Sequence, residues 1–291
     1  LFRSPPQTLE EHLEAAKKIN VREDDGSYSR MGFFFFFFGW WGPFWGYWFG
    51  GKLISEDGRK ITCDSPRNIE AFKWMRSWSS RFGISDVTLF EAANRGQFAS
   101  PSNSFMSGKI GMKLQGVWMS SFIEQFGGDM NWAVTPMPAA DHVTGGPATV
   151  VEVDMLVIPR GAKNVEEAWD FIRFVQEQEN MEELCRLQRK LSPLLNVSKD
   201  FQDNHPNPYI ETFRALAEST NAGAVPKTPI WTEYRDELAN AISIMWLATE
   251  EEESTEDVLS AVKNRMQPKL DQAWERWDEI GQQRLAEWSQ L

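Results

Sequence analysis

Residues 33–51, FFFFFFGWWGPFWGYWFGG, carry no charge over nineteen positions and consist almost wholly of aromatic rings and glycine. A chain with such a segment has to bury it in a membrane, in a core or against a ligand, because so much contiguous apolar area is unfavourable in water. Length alone qualifies it as a membrane span. Composition argues against that reading. A spanning helix is rich in Leu, Ile, Val and Ala, all missing here, and keeps its tryptophans at the two interfaces, whereas Trp40, Trp41, Trp45 and Trp48 fall in the middle. Gly39, Gly42, Pro43 and Gly46 would weaken a helix further. The β propensity of phenylalanine predicts a buried strand over Phe33 to Phe38, with an aromatic lip after it.

The rest of the chain reads as a soluble protein: 291 residues, 42% hydrophobic and 25% charged, are enough for two domains. The net charge of −12 disfavours nucleic acid and anionic membrane surfaces as partners. Cys63 and Cys185 lie far apart and outside any CxxC, which leaves two separate buried thiols or one long-range disulfide. His12, His142 and His205 are isolated, without metal-ligand spacing. No Gly-x-Ser-x-Gly, phosphate-binding loop or dinucleotide fingerprint appears, so no catalytic residue, metal or cofactor is predicted. The opening LFRSPPQTLEEHLEAA has no basic head before an apolar run and does not read as a signal peptide.

Thr8 with Glu11 forms a capping box, and Leu9, Leu13, Ala16 and Ile19 form one stripe, predicting a helix. Ser65, Pro66 and Gly83 bracket a second helix with Ile69, Phe72 and Met75 inward. FMSGKIGMKLQGVW reads as a glycine turn into a short alternating strand, and NWAVTPMPAADHVTGG as a strand entering a Pro/Gly loop. TVVEVDMLVIPRGAKNVEEAWDFIRFVQ reads as a strand, a turn and a helix capped by Asn164 with Glu167. The remainder is helical, with TEEEESTED as a solvated charge run. Trp74, Trp78, Trp169 and Trp246, at helical spacing, are predicted core. Alternating strands and helices indicate an α/β protein.

Four stretches carry a resemblance: PPQTLEEHLEAAKKI to a Pro-x-Thr-Trp-x-Glu helix start, with Leu9 where tryptophan is common; FGGKLISEDGRKITCDSPRNIEAFKWM to a glycine pair, acidic turn and helix; FMSGKIGMKLQGVWM with VTPMPA to a strand, tryptophan turn and Pro-x-Pro strand end; and LVIPRGAKNVEEAWDFIRFV to a strand, turn and helix. In this order the chain resembles the family 1 extracellular solute-binding proteins of bacterial ABC importers, the group containing maltose- and other sugar-binding proteins. The resemblance implies an α/β, two-lobe periplasmic-binding-protein-like fold (type II). Residues 1–140 and 200–291 would form a nearly complete second, C-terminal lobe, 146–199 a remnant of the first, N-terminal lobe, and 141–146 and 197–203 the hinge crossovers. Such relatives carry further first-lobe sequence ahead of the Pro-x-Thr segment, and the remnant is too small to bury its own apolar faces.

The resemblance also implies a cleft that closes on a small solute. A sugar ring has apolar C–H faces that an indole covers, while polar groups take its hydroxyl edges. Trp40 stands ten residues before Gly50, where sugar-binding relatives carry a stacking aromatic, and Trp41, Phe44 and Trp45 are its neighbours. Trp118 in QGVW matches the family's Gly-x-Trp turn, and Trp231 in TPIWTEYRDEL matches another tryptophan at a helix start. Arg235 falls one turn later on the same face, its alternative being an ion pair with Glu233 or Asp236. Glu152, charged within an apolar strand whose end the family places near the cleft, is a candidate hydroxyl acceptor, its alternative being a solvated edge. Trp40, Trp118 and Trp231 are expected to converge. The implied function is the receptor of an ABC importer, binding a carbohydrate and docking on an ABC permease, in a periplasmic or extracellular location that includes lipid anchoring. Two alternatives stay open: a glycoside hydrolase with paired carboxylates in an aromatic cleft, and a non-binding structural or adaptor derivative.

Overall fold

Thr8 starts the first helix as its sequence predicts. In the computed structural model, which describes residues 4–35, 41–94 and 98–288 with side chains to 282, α1 spans Leu9–Ile19 and the Thr8 hydroxyl oxygen accepts from the Glu11 N–H at 3.1 Å. The Glu11 carboxylate reaches one residue further out than a capping box requires, accepting from the Gln7 N–H at 2.7 Å. Asn20 ends the helix, and its side-chain oxygen accepts from the Gly32 N–H at 2.7 Å, which ties α1 to the sheet beneath. That sheet has the order β1 (Val21–Arg22), β2 (Tyr28–Phe33), β3 (Ile110–Met112), the first pair antiparallel and the second parallel. A Cβ at Gly32 would sit 2.2 Å from the Ala16 carbonyl oxygen, so only glycine lets α1 cross β2 this closely.

Between β2 and β3 come a 3₁₀ helix over Gly42–Phe49, then α2 (Pro66–Phe82) and α3 (Ile84–Asn94). After β3 follow α4 (Met119–Phe126), β4 (Thr149–Val151), α5 (Val165–Gln176), α6 (Gln178–Leu187), α7 (Lys199–Asp203), α8 (Ile210–Ala217), β5 (Ala222–Ala224), α9 (Trp231–Leu247) and α10 (Thr255–Trp288). β4 and β5 pair in parallel as a second, two-stranded sheet.

The strand predicted over Phe33 to Phe38 is corrected: β2 ends at Phe33, and Phe34 and Phe35 are buried beyond its end, outside the strand. Two consecutive buried rings do not fit a strand with one buried face. Here Phe34 meets Trp246 at 5.8 Å between ring centroids, while Phe35 packs on Trp45, Trp74 and Trp78. Phe36 to Phe38 lie outside the described residues. The aromatic stretch that follows is the 3₁₀ helix, with Pro43 in its first turn and Gly50 ending it in the left-handed region at φ 73°. No helix among the described residues is long and apolar enough to cross a membrane.

Helices α2 and α9 cover this segment. Phe72, Met75 and Trp78 of α2 and Leu238, Met245 and Trp246 of α9 join the rings in one large core, closed below by Leu259, Val262 and Met266 of α10. The charge run TEEEESTED is more than a solvated loop. Arg76, 3% exposed, donates to the Ala248 carbonyl oxygen at 3.0 Å and to the Glu250 carboxylate at 2.6 Å, anchoring the α9–α10 connection.

A second, small core joins Met181, Cys185 and Phe201. Both cysteines are free thiols, one in each core. The remaining elements around it bury little. β4 is only three residues long, and Val153, Met155 and Val157 beyond it are 58%, 77% and 75% exposed. Helix α5 has no buried residue: Val175 at its end packs on the small core, while Trp169, predicted core, is half-exposed with Phe171 and Phe174. Asn164 makes no side-chain capping bond, and residues 131–140, predicted to start as a strand, pair in no ladder.

His12 is buried edge-on against Phe33 and Trp78, and burial pushes its imidazole down to about 4. The folded chain therefore leaves this ring neutral where the unfolded chain protonates it. The contribution is fully present above the ordinary histidine value and is lost as pH falls towards the folded value, on the order of 1 kcal/mol per pH unit in between. Urea titrations across that range should show a steeper acid loss of stability for the native protein than for His12→Leu; equal slopes would refute the assignment.

Candidate functional site

The parallel pair β2–β3 sets where a solute could be met, since ligands of open α/β sheets bind outside the carboxyl ends of parallel strands. At that end β2 runs on through Phe34 and Phe35, and β3 through Lys113, Leu114 and Gln115 into the turn that starts α4. The two exits meet where Trp41 and Trp118 stack, their rings 5.7 Å apart between centroids and 5° from parallel. Trp41 is buried and Trp118 half-buried. The Trp118 ring lies back over Gly116, where a Cβ would come within 2.3 Å of it.

A 3₁₀ helix repeats every three residues, so Trp41, Phe44 and Tyr47 form one ridge and Trp45 and Trp48 another. Phe44 faces Trp231, at the start of α9, with centroids 5.5 Å apart, and Trp231 in turn stands edge-on to Tyr234 at 5.9 Å. The Tyr47 hydroxyl donates to the Ala224 carbonyl oxygen at 2.9 Å, fastening the same ridge to β5, and burial pushes its phenol up to about 12. One ridge thus joins tryptophans from three distant parts of the sequence.

The sequence-predicted residues divide accordingly. Trp41, Trp118 and Trp231 are brought onto this ridge or against it. Trp40 lies outside the described residues. Trp45 is not brought onto this ridge: at 1% exposure it sits in the core against Phe33, Phe35, Trp48 and Trp74, on the opposite ridge of the three-residue repeat. Arg235 pairs with Asp236, its Nη2 2.9 Å from a carboxylate oxygen, which is the surface ion pair of the alternative reading. Glu152 is exposed just past β4, a strand that touches the 3₁₀ helix; partial burial and then the neighbouring Asp154 raise its carboxyl above the usual range.

Two polar residues on the β3 exit were not singled out from sequence. Burial pushes the Lys113 ammonium down to about 8; it stands 6.0 Å from the Phe98 ring centroid and 3.5 Å from the Asn103 side-chain oxygen. Gln115 has both amide atoms buried with no hydrogen-bond partner among the described residues. Their only signal was a polar residue at alternate positions of a short strand and its extension. No His, Cys, Asp or Glu group that could hold a metal occurs among the described residues. A surface depression of about 420 Å³ runs along Lys73, Arg76 and Glu250, groups already paired with one another or with Glu256. Another, of about 290 Å³, is lined by Ser120, Ile123 and Glu124, on the side of α4 that its 100° step turns away from Trp118.

The chain belongs to the bacterial extracellular solute-binding protein family, which it matches over residues 1–212. It is 24% identical over 204 residues to a protein of Brucella abortus (strain 2308) named as a binding protein, covering 70% of this chain and 46% of that one. The chain therefore spans about half the length of the curated relatives it matches. The fold is that of the two-lobe periplasmic sugar-binding proteins. CpMnBP1, solved with mannotriose bound, superposes with a TM-score of 0.78 at 22% identity, covering 90% of this chain and 66% of its own. An ABC transporter solute-binding protein of Thermotoga lettingae, bound with α-D-tagatose, gives a TM-score of 0.68 at 21% identity, covering 92% and 65%.

The stacked pair is open to direct test. Gly116→Ala should push the Trp118 ring off Trp41 and lower stability by about 1 kcal/mol, the worth of such an aromatic pair. Near-ultraviolet circular dichroism should then lose the same component in Gly116→Ala as in Trp41→Leu; an unchanged spectrum would refute the geometry.

Proposed function

We propose that this protein is the carbohydrate receptor of an ABC importer, holding a mono- or oligosaccharide against the aromatic ridge. The observation that carries the reading is the assembly of Trp41, Trp118 and Trp231 around one 3₁₀ helix at the carboxyl ends of parallel strands. Flat rings suit the C–H faces of a pyranose, and membership in a family of extracellular solute-binding proteins supports a receptor. The sugars in the bound relatives point to the same ligand class.

In this reading residues 1–140 and 200–291 make up one lobe, 146–199 belong to the other, and 141–146 and 197–203 are the crossovers between them. Two separate cores and the unpartnered apolar strand and helix at 153–174 support that division. The lobes close because only the closed form touches the solute from both sides, and an ABC permease recognises that form, outside the cytoplasm and with or without a lipid tether.

Calorimetric titration with a panel that includes mannotriose and maltotriose tests the proposal. Saturable binding without glycosidic turnover is expected, and Trp118→Ala should weaken it by about 1–3 kcal/mol, the range of ring stacking on aromatic side chains. Turnover of an oligosaccharide would favour the hydrolase, and no heat with any sugar would overturn the carbohydrate reading.

A further inference from the structure

Gln115, on the β3 exit that leads to Trp118, carries chemistry that the fold does not use. Among the described residues it alone has two side-chain polar atoms buried without a hydrogen-bond partner, the Nε2 donor and the Oε1 acceptor. A buried amide left unbonded is costly, and a fold that keeps one has a reason to. The residue sits three positions beyond β3, at the carboxyl end of the parallel pair, and directly precedes Gly116, on which the Trp118 ring rests. Along the chain it thus adjoins the turn that carries Trp118 onto Trp41.

We propose that Gln115 is the hydrogen-bonding anchor of the solute site, taking a vicinal pair of sugar hydroxyls, one as acceptor of its N–H and one as donor to its carbonyl oxygen. The inference rests on the carbohydrate reading above and adds the group that reads the hydroxyl edge. Parallel indoles with centroids 5.7 Å apart leave no room for a saturated ring between them. Trp118, the more exposed of the two, therefore swings aside as the ligand enters, and the same movement uncovers the amide. A vicinal diol matches a side-chain amide because both present a donor and an acceptor side by side. A sugar lacking one of the two hydroxyls leaves one amide atom unbonded and is rejected.

Thermal unfolding without ligand and calorimetric titration with mannotriose, on the whole chain and on Gln115→Leu and Gln115→Glu, test this. Removing an unbonded buried amide should leave the unfolding temperature of Gln115→Leu unchanged or raise it by about 2 °C, while its affinity falls about tenfold or more. Gln115→Glu, which keeps an acceptor and loses the donor, should also bind more weakly than the native protein. Unchanged affinity in Gln115→Leu while the native protein binds overturns the anchor and leaves the carbohydrate reading standing. A lowered unfolding temperature in Gln115→Leu also overturns it, since the amide would then be a structural group. If the native protein binds no sugar of the panel, the carbohydrate reading fails and the anchor fails with it.

Discussion

The packing of α2 and α9 over the aromatic segment 41–49 is the interaction on which the rest of this structure depends. Nineteen uncharged positions leave the chain no stable arrangement in which that surface stays wet. The 3₁₀ helix solves the backbone half of the problem by bonding its own amides, and the two helices solve the side-chain half. Because the segment repeats every three residues, burying Trp45 and Trp48 fixes the direction of Trp41, Phe44 and Tyr47. The precision of the candidate site is therefore a property of the core. Phe44, on the candidate ridge, is held by the ring one position away, Trp45, which is locked against Phe33, Phe35 and Trp74.

Much of this was legible before the structure. The cap at Thr8, the Ser65–Gly83 bracket of α2 and the α/β class follow from local signals that tertiary packing does not override. The importance of the aromatic run was equally plain, and so were Trp118 and Trp231 as places to look. Its conformation was not. A segment made only of aromatic residues, glycine and proline has no polar–apolar contrast, so periodicity is silent, and among the described phenylalanines at its start the propensity that predicts a strand is satisfied by Phe33 but not by Phe34 or Phe35. Trp45 could not be separated from Trp41 until the three-residue repeat was known. Gln115 and Lys113 were missed because a polar residue on a short strand ordinarily faces water, and only the fold shows theirs covered.

Other misreadings have a different cause. Trp169, Phe171 and Phe174 lie on a helix whose stripe is as amphipathic as any in the protein, and Val151, Val153, Met155 and Val157 alternate with Glu152 and Asp154 as a half-buried strand should. The sequence rule for both is sound. What differs is the partner: the small core of Met181, Cys185 and Phe201 does not reach them, and they stay exposed. Amphipathic patterning thus records what a surface is shaped to meet, while burial records what it meets in one chain. The alternation also accounts for Glu152, which is charged because it belongs to the opposite face of that strand.

The stacked tryptophans illustrate how such a site can be closed and still receptive. An indole pair of this geometry contributes about 0.5–1.5 kcal/mol beyond the area it buries, and a sugar that separates it gains contact with two ring faces in exchange for one shared interface. The exchange favours entry provided that the hydroxyl edges are also met, because desolvated hydroxyls left unbonded would cancel the gain. Apolar stacking alone therefore gives little discrimination between a sugar and any flat or saturated ring of similar size. Selectivity has to come from polar groups behind the rings. On the β3 exit the polar groups at hand are Lys113, whose ammonium gives up its proton more readily because it is buried, and Gln115, whose amide is unbonded.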